Sequence, residues 1–596
     1  MVFLSRRFLC RFLSAWALMT FLYVPVRSQD KAEENKATGK IKLSVEQIPA
    51  APASLPVLRL TAQKPPTEFV QETLRRKDPK SEKLVPLAQL SHLSSKEGKL
   101  PEDFVGAMSG EHLAGYVNLR TGDAEIYPSI AENGAPAEEE SRLIERADTV
   151  AREMFGRQDL LQKDATHVSF EKARPLFGEN AERSENGGSV KSGSRQVYLT
   201  YVTLRRSVND HFVYGPGSRA MVAIGNGGTV EGFLRRWKTA AMSGKATESR
   251  SKEKVAEAIR AQLLPISRAA DVEVLSTDIA YYDGNRDYLQ PVYRFTARIH
   301  ERTRGKDEDK DRDDKKKHVN DDFVIGYVPI GKPLEPIPSL TRPPGTLPTT
   351  ARNTSTSAKP GDPTVGRYVV RNDDPNWVAN ANEFMAGLDT FFGNFFFTNS
   401  QYFWAEPFEF NTNEASFINS VNIADNEVHG DWWLFSTLRN CCDLVDITAI
   451  PASEGYGAAN HGSLDYWVLH SCEVVPSAID APCQSDSRPW WTPWFNVFQG
   501  LHTVVGYRTI MWIDDDVTGP YAVSLRFGAP VVSAWFNATT SAAGYQGNPT
   551  LGAHCGRTPP MGRPSTVSAC GRQNDSVYDT SALPPANCVI NFWQPN

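Results

Sequence analysis

The sequence has little net charge and no long apolar run beyond its first 28 residues. Its 596 residues carry 64 Lys and Arg against 70 Asp and Glu, a formal charge of −6. This balance disfavours nucleic acid as a partner, because binding to a phosphate backbone requires a basic surface. The lack of a second apolar run predicts no membrane span once the first 28 residues are removed. The hydrophobic content of 40% is that of a globular protein, and the length predicts two or three domains.

Motifs for metal and serine chemistry are also missing. The sequence contains no C-x-x-C and no H-x-x-x-H spacing, which disfavours a zinc site. Ser471 lacks the G-x-S-x-G surroundings of a serine hydrolase nucleophile. We therefore expect neither a metal ion nor an organic cofactor.

Residues 1–28 have the pattern of a secretory signal peptide. Three arginines among the first eleven residues precede an apolar run at 12–26, and Ser28 stands just before Gln29. A basic start, an apolar centre and a small residue at the cleavage point are typical of such peptides. This pattern predicts a secreted, extracellular protein. The alternative is a signal anchor that is never cleaved.

Cysteine is absent between residues 11 and 440. Cys10 lies in the predicted signal peptide, and the remaining cysteines are Cys441, Cys442, Cys472, Cys483, Cys555, Cys570 and Cys588. In an oxidising compartment most of these should form disulfide bonds, and their odd number leaves one thiol over. Sequons at Asn353, Asn537 and Asn574 predict a glycoprotein if the source is eukaryotic.

The first half of the chain has an order of elements that repeats. Residues 29–100 are rich in proline, lysine and glutamate and are expected to be extended or partly disordered. Apolar residues recur at helical spacing in 138–156, where Gly156 marks the end of a helix. Strands with a hairpin turn at 225–228 follow. A second helix, which Ser251 opens, precedes another pair of strands.

This helix-then-hairpin order resembles the PepSY and related propeptide modules of secreted peptidases. The segments that carry the resemblance are VYGPGSRAMVAIGNGGTVEGFLRRW and DYLQPVYRFTARI, within the region 101–335. In those families the module assists folding or inhibits the attached enzyme. The resemblance therefore implies an α+β domain that contacts the C-terminal domain of the same chain. A generic α+β domain is the alternative.

Composition then marks an insertion, a linker and a second domain. The charged stretch 303–322 separates two strands and predicts a solvated hairpin insertion. The segment 336–365, rich in proline and threonine, predicts a linker. The predicted second domain, 366–596, holds eleven of the thirteen tryptophans. Strands at 415–423, 465–471 and 502–513 and a helix at 491–501 predict an α/β fold with a mostly parallel sheet flanked by helices.

Two apolar segments of this domain end in residues that are capable of chemistry. The first ends at His429-Gly430 and the second at Cys472. Functional groups collect at the carboxyl ends of parallel strands, which lie about 4.8 Å apart, so we expect both segments to end at one edge. An imidazole beside a thiol favours the thiolate and then acts as an acid. The N–H groups of Gly430 and Cys472 would face a developing oxyanion.

An apolar strand that ends in His-Gly, followed by one that ends in a small residue and Cys, resembles the caspase–gingipain–legumain group of cysteine peptidases. The segments WFNVFQGLHTVVGYRTIMWI and GAPVVSAWFNATT resemble the part of gingipain-like domains that follows the cysteine. The HG and HSCEV segments also resemble an uncharacterised secreted domain family of bacteria and fungi. The similarity covers roughly residues 400–545.

The resemblance implies a caspase/gingipain-like fold and a polypeptide substrate. It implies that Cys472 is the nucleophile, His429 the general acid/base and Gly430 an oxyanion contributor. Ser471 and Glu473 depart from the pattern of the group, in which Ala, Asp or Gly precedes the cysteine and a glycine follows soon after. A carboxylate at Glu473 would raise the pKa of the thiol if the two groups pointed the same way.

The same residues also allow a non-catalytic protein. Cys472 would then pair with Cys483 or Cys442, or be an inert buried thiol. The tryptophan pairs at 432–433 and 490–491 would belong to the core, or would line a surface for stacking sugars. The alternative function is therefore a secreted, disulfide-stabilised binding or structural protein on the same scaffold.

Other histidines complicate the assignment of a base. His461, also followed by glycine, is expected on the loop that enters the strand of Cys472, at the opposite end of the sheet. His470 is expected to face away from Cys472. In the non-catalytic interpretation, His429 is a hydrogen-bonded histidine at the edge of the sheet.

Overall fold

The computed structural model describes most of the chain from residue 40 onward. The described residues are 40–77, 83–89, 103–109, 112–184, 189–268, 270–301, 321–340, 363–369, 375–389, 398–403, 405–437, 444–480, 488–513, 516–542, 545 and 561–595. The predicted signal peptide, most of the predicted linker and the sequon at Asn353 lie outside them, as do Cys441, Cys442, Cys483 and Cys555. None of the described helices has the length and apolar character to cross a bilayer.

The described residues up to 340 are mainly β-structure. The strands are β1 Ile41–Lys42, β2 Ser54–Thr61, β3 Val85–Pro86, β4 Phe104–Ser109, β5 His112–Asn118, β6 Ala124–Ile126, β7 Ala135–Pro136, β8 His167–Phe170, β9 Arg174–Arg183, β10 Val190–Ser192, β11 Gln196–Val208, β12 His211–Tyr214, β13 Ser218–Gly225, β14 Val230–Trp237, β15 Thr239–Glu248, β16 Ala270–Asp283, β17 Tyr288–Glu301 and β18 Asp321–Pro329. The helices are α1 Thr67–Lys77, α2 Glu140–Phe155 and α3 Lys252–Leu263.

Both helices predicted in this region are confirmed. Helix α2 ends at the predicted glycine, where the N–H of Gly156 donates to the Arg152 carbonyl at 3.0 Å. Helix α3 starts after Ser251, whose side chain accepts a hydrogen bond from the N–H of Lys254 and so satisfies a donor in the first turn. The buried stripe of α2 consists of Leu143, Ala147, Ala151, Met154 and Phe155.

The predicted hairpins are confirmed as well. Strands β13 and β14 pair antiparallel around the glycine-rich turn at 225–228, and the N–H of Gly228 donates to the Gly225 carbonyl at 2.8 Å. Strands β16 and β17 form a long antiparallel pair, and β17 pairs with β18 on its other side. The charged insertion joins β17 to β18, but residues 302–320 lie outside the described part of the chain.

Part of the segment 29–100 is regular, contrary to the expectation of an extended or partly disordered stretch. Strand β2 pairs antiparallel with β15. Helix α1 buries Phe69, Val70 and Leu74 although most of its other residues are polar or charged. The low hydrophobicity of the segment concealed this short apolar stripe, which is stabilised by packing against strands distant in sequence.

The remaining elements belong to the region that follows the predicted linker. The strands are β19 Thr364–Val369, β20 Thr398–Phe403, β21 Ile423–Glu427, β22 Gly430–Asp431, β23 Leu434–Ser436, β24 Leu444–Asp446, β25 Tyr466–His470, β26 Thr503–Tyr507, β27 Pro564–Ala569 and β28 Cys588–Trp593. The helices are α4 Pro375–Leu388, α5 Trp494–Val497, α6 Thr518–Arg526 and α7 Val531–Thr540.

A mixed sheet runs through this region. Five strands are parallel, in the order β20, β19, β21, β25 and β26. Strands β27 and β28 then add antiparallel, and β28 pairs with β9 of the preceding region. One face packs on α4, α6 and α7, while the other carries a second, aromatic-rich core. The protein is therefore α/β, with a large mixed sheet and few helices among its described residues.

Three predicted elements near the site differ from the structure. Residues 415–420 form short 3₁₀ turns and the strand starts only at Ile423, because Asn419 and Ser420 bond to backbone groups and so compete with extended pairing. The predicted helix at 491–501 is reduced to α5, between Pro493 and the positive φ of Gly500. Strand β26 ends at Tyr507, before the apolar residues that follow it.

The two predicted domains are joined through the sheet. Residues from 39 to 596 form a single compact unit, and the edge between them is the antiparallel pair of β28 with β9. A disulfide bond between Cys570 and Cys588 closes the loop that connects β27 to β28. The predicted boundary at 336–365 stays a prediction, since residues 341–362 are outside the described chain.

Candidate active site

Strands β21 and β25 bring the two predicted site residues to one edge of the sheet. The strands are adjacent and parallel, and their last paired residues are Glu427 and His470. His429 and Cys472 each lie two residues beyond that pair. The expectation that both segments end at the same carboxyl edge is confirmed.

Gly430 lies close against the segment that follows β25. A Cβ atom at this position would lie 2.2 Å from Ser471 Oγ, 2.2 Å from a methyl carbon of Val474 and 2.6 Å from the Cys472 carbonyl oxygen. Contacts this short are not tolerated, so the approach of the two chain segments requires glycine here. The group that faces Gly430 is the carbonyl of Cys472, a hydrogen-bond acceptor.

Cys472 is a buried thiol that accepts a hydrogen bond. Its side chain belongs to the apolar cluster beneath α4, α6 and α7, and the residue is 7% exposed. The backbone N–H of Met511 points at the sulfur, with 3.4 Å between N and Sγ. A donor to sulfur favours the thiolate over the thiol.

His429 is held between α4 and the start of a small three-stranded sheet. The residue is 4% exposed, and its ring lies edge-on to the ring of Trp377, with 5.3 Å between centroids. Its carbonyl accepts a hydrogen bond from the N–H of Ser436 at 3.0 Å. These contacts fix the backbone and the ring of a residue that lies two positions beyond the end of its strand.

Glu473 has a strained backbone and a buried carboxyl group. Its φ is +55°, a left-handed conformation that is uncommon outside glycine. Burial raises the pKa of Glu473 well above its ordinary value, and Asp431 and Asp480 raise this pKa further, while Arg508 opposes them. This environment favours the neutral acid, which places no negative charge beside the thiol.

A row of buried polar side chains continues beneath the site. Nδ1 of His470 and Oε2 of Glu427 form a hydrogen bond with 2.7 Å between them, and both residues are buried. Asp425 and Arg367, a register pair of β21 and β19, continue the row. Burial raises the pKa of Asp425 well above its ordinary value, as does Glu427, whereas His470 and Arg367 oppose the shift.

The expectation that His470 faces away from Cys472 is wrong. The His470 ring lies 5.9 Å from the ring of Tyr507 and 6.5 Å from that of Trp535, and both aromatic residues belong to the cluster that contains Cys472. Residues two apart in a strand share a face, so alternation itself puts His470 on the side of Cys472. The same rule signals the polar row, because Asp425 and Glu427 are spaced by two in strand β21 and so share a face.

The remaining sequence candidates lie elsewhere. His461 is exposed and precedes β25, at the opposite end of the sheet, as expected. Trp433 and Trp490 are buried in the aromatic core. Across the described ranges, no three His, Cys, Asp or Glu side chains group in a way that would hold a metal ion.

Two of the sequons lie within the described residues. The amide of Asn537 is buried and donates to Glu125 at 3.2 Å. The amide of Asn574 is half-buried and donates to the Ile130 carbonyl at 2.8 Å. Both amides are therefore engaged inside the fold. Glycosylation of the chain stays a prediction.

Comparisons with known proteins identify a domain without an assigned activity. Residues 364–558 match a protein family described as a domain of unknown function (DUF6345). No curated protein matches the chain. A solved structure of an uncharacterised protein from Eubacterium rectale is similar over 49% of this chain and 88% of its own length, with 9% sequence identity and a TM-score of 0.27. The stretch that matches the family extends from the first residue of β19 to beyond α7 and contains both His429 and Cys472.

Proposed function

We propose that the chain is a cysteine-dependent acyl-transfer enzyme that hydrolyses peptide bonds, with Cys472 as nucleophile and His429 as general acid/base. The observation that carries the proposal is the register of β21 and β25. Their last pair, Glu427 and His470, leaves His429 and Cys472 at equivalent positions, each two residues beyond the end of its strand. Adjacent strands lie about 4.8 Å apart, so side chains at equivalent positions are close enough to come within hydrogen-bond distance once substrate is bound.

The proposed reaction has two steps. The Cys472 thiolate attacks the carbonyl carbon, a C–S bond forms, and the C–N bond breaks as the His429 imidazolium protonates the leaving amine. Neutral His429 then removes a proton from water, which attacks the thioester. The C–S bond breaks, the carboxylic acid leaves, and the Cys472 thiolate and the His429 imidazolium are restored. Gly430 is proposed to approach the oxyanion through its backbone, since any side chain there would collide with Ser471.

Three other features belong to this proposal. The parallel order of β19, β21, β25 and β26, with α4, α6 and α7 on one face, supports a caspase/gingipain-like arrangement. The region up to 335 is proposed to be a PepSY-like module that assists folding or restrains the enzyme. Secretion after cleavage before Gln29 is proposed from the first 28 residues, and sequencing the N-terminus of the exported protein tests it.

A peptide bearing a thiol-directed electrophile tests the chemistry. The purified chain should be labelled at Cys472, and peptide mapping by mass spectrometry should locate the adduct. The His429→Ala variant should lose most of this labelling at pH 7, because the thiolate loses its partner. The matched control is His461→Ala, an exposed histidine at the opposite end of the sheet, which should be labelled like the natural chain. Absence of the adduct before and after cleavage within 341–362 would refute the proposal and leave the non-catalytic alternative.

A further inference from the structure

The segment that follows β26 covers Cys472. Residues 508–513, called the covering segment below, have no regular secondary structure, yet their last three side chains are buried. Met511 and Ile513 pack into the cluster that contains Cys472, whereas Trp512 packs into a different cluster. The side chains thus alternate, two toward the site and one away from it.

Trp512 is anchored in the region that precedes the predicted linker. Its ring meets that of Phe323 on β18 nearly at a right angle, with 6.1 Å between centroids. The next backbone N–H, that of Ile513, donates to the Phe323 carbonyl at 3.0 Å. The rest of this cluster comprises Tyr214, Ala280, Val292, Ile325, Tyr327 and Met561.

A further contact fixes the chain just beyond the covering segment. Arg219 on β13 forms an ion pair with Asp516 at 3.1 Å. The Arg219 side chain is almost fully buried, while that of Asp516 is 46% exposed. The covering segment is thus held from the N-terminal region at Trp512 and again near its end.

We infer that Trp512 is a positioning residue for the nucleophile: docked against Phe323, it holds the N–H of Met511 on the sulfur of Cys472, so that the N-terminal region sets the reactivity of the thiol. The role of Cys472 as a nucleophile rests on the proposed function, whereas the contacts of Trp512 and Met511 are part of the structure. Backbone hydrogen bonds hold the segment at Thr509, Ile510 and Ile513, whereas the N–H of Met511 points at the sulfur, so the anchoring of the next residue, Trp512, influences where that amide points. A donor to sulfur favours the thiolate, which is the reactive form.

Other titratable groups lie near the thiol. They are His429, beyond the end of the neighbouring strand, and Glu473, next in the chain, on which Asp431, Asp480 and Arg508 act. Arg508 is the first residue of the covering segment, but its guanidinium is paired with Asp480 at 2.9 Å. The buried pair of Glu427 and His470 lies at the end of the same two strands. We therefore expect a change at Trp512 to displace the Met511 donor more than these groups.

Alkylation by iodoacetamide tests the inference, because this reaction needs a thiolate and no catalysis. Its rate at Cys472 is followed against pH in the full chain, by peptide mapping of the modified residue. In Trp512→Ala the pH midpoint should rise by about one unit, which lowers the rate at pH 7 about tenfold. Trp512→Phe should keep the natural midpoint, since an aromatic ring remains on Phe323.

A substitution on the opposite side of the contact provides the decisive comparison. Phe323→Ala should raise the midpoint in the same direction as Trp512→Ala, and the double variant should show no further rise. The matched control is Phe233→Ala, a buried phenylalanine of the same region in a different cluster, which should leave the midpoint unchanged.

Two results would overturn the inference. One is an unchanged midpoint in folded Phe323→Ala, which decides the matter even if Trp512→Ala fails to fold. The other is an equal rise in Phe233→Ala, which would assign the effect to general loosening. Failure of the proposed function is seen separately, as an alkylated Cys472 that never takes up the peptide electrophile.

Discussion

The Nδ1 atom of His470 lies 2.7 Å from Oε2 of Glu427, and this hydrogen bond joins the last paired residues of two parallel strands. This pair is the last one of the two strands, and the residues two positions further along are His429 and Cys472. Because both members of the pair are buried, the bond is protected from competition by water. We regard it as the side-chain link that holds the two strand ends in register.

The first prediction concerns this link. Glu427→Ala should leave the His470 ring without its hydrogen-bond partner and destabilise the fold by about 2 kcal/mol, as expected when one partner of a buried hydrogen bond is removed. Glu427→Gln retains a polar group that can hydrogen-bond to Nδ1 and should recover most of that stability. Urea denaturation measures both variants, and equal losses in the two would show that the hydrogen bond is not the source of the effect.

Gly430→Ala adds only a methyl group, yet it should disrupt the carboxyl edge of β21 and β25. The added methyl group would collide with Ser471, Val474 and the Cys472 carbonyl, forcing the two strand ends apart. We expect a loss of about 1–3 kcal/mol in the free energy of unfolding and reduced labelling of Cys472 by the peptide electrophile. Gly227→Ala is the matched control, because a Cβ atom there has no neighbour within 4 Å. Unaltered labelling in a folded Gly430→Ala variant would contradict the close contact.

The pH dependence of stability should contain a contribution from Asp465. Burial raises the pKa of this carboxyl to about 6, above its ordinary 3.8, although the amide of Asn422 donates to it and opposes the shift. Between these two values the folded chain binds a proton that the unfolded chain has released. Stability from this group is therefore greatest at low pH and is lost as the pH rises through about 6.

Asp465→Asn removes the titration and should make the protein less dependent on pH. The expected difference from the natural chain between pH 4 and pH 7 is about 3 kcal/mol, since one pKa unit corresponds to 1.36 kcal/mol. Denaturation midpoints at several pH values measure it. Parallel curves for the two chains would show that Asp465 ionises alike in the folded and unfolded states.

The disulfide bond between Cys570 and Cys588 should stabilise the junction of the sheet. Its closed loop spans 18 residues, for which chain entropy predicts about 3 kcal/mol. Replacing both cysteines by alanine should lower the denaturation midpoint by a corresponding amount. Labelling of Cys472 should persist in the folded double variant, because Cys472 takes no part in this disulfide bond. A loss of labelling there would mean that the bond acts on the site.

The sequence predicted the meeting of the two strand ends better than it predicted their surroundings. His429 and Cys472 were recognisable because each follows an apolar run, and the end of such a run is a local signal. The contact of Trp512 with Phe323 has no local signal, since it joins segments far apart in the chain. Likewise, Asn419 and Ser420 turn the backbone through hydrogen bonds that are invisible in a pattern of apolar residues.

The polar row was concealed for a different reason. Asp425 and Glu427 lie in a strand that is wholly buried. Because carboxyl groups are rarely buried, a sequence pattern containing them is normally interpreted as exposed. Strict use of the two-residue period would have put them, with His470, on the face of Cys472. The sequence therefore contained the spacing that places these polar residues on one face, but this spacing was overlooked.

Strand β28 lies between β27 and β9, so the last strand of the chain is the one that connects the two halves of the sheet. Its hydrogen bonds to β27 on one side and to β9 on the other complete a strand edge of each half. Cutting the chain at the predicted linker would leave the halves attached through this strand. A truncation of the final ten residues should instead leave the halves in contact through side chains such as Trp512 and Phe323, but with two open strand edges that favour self-association.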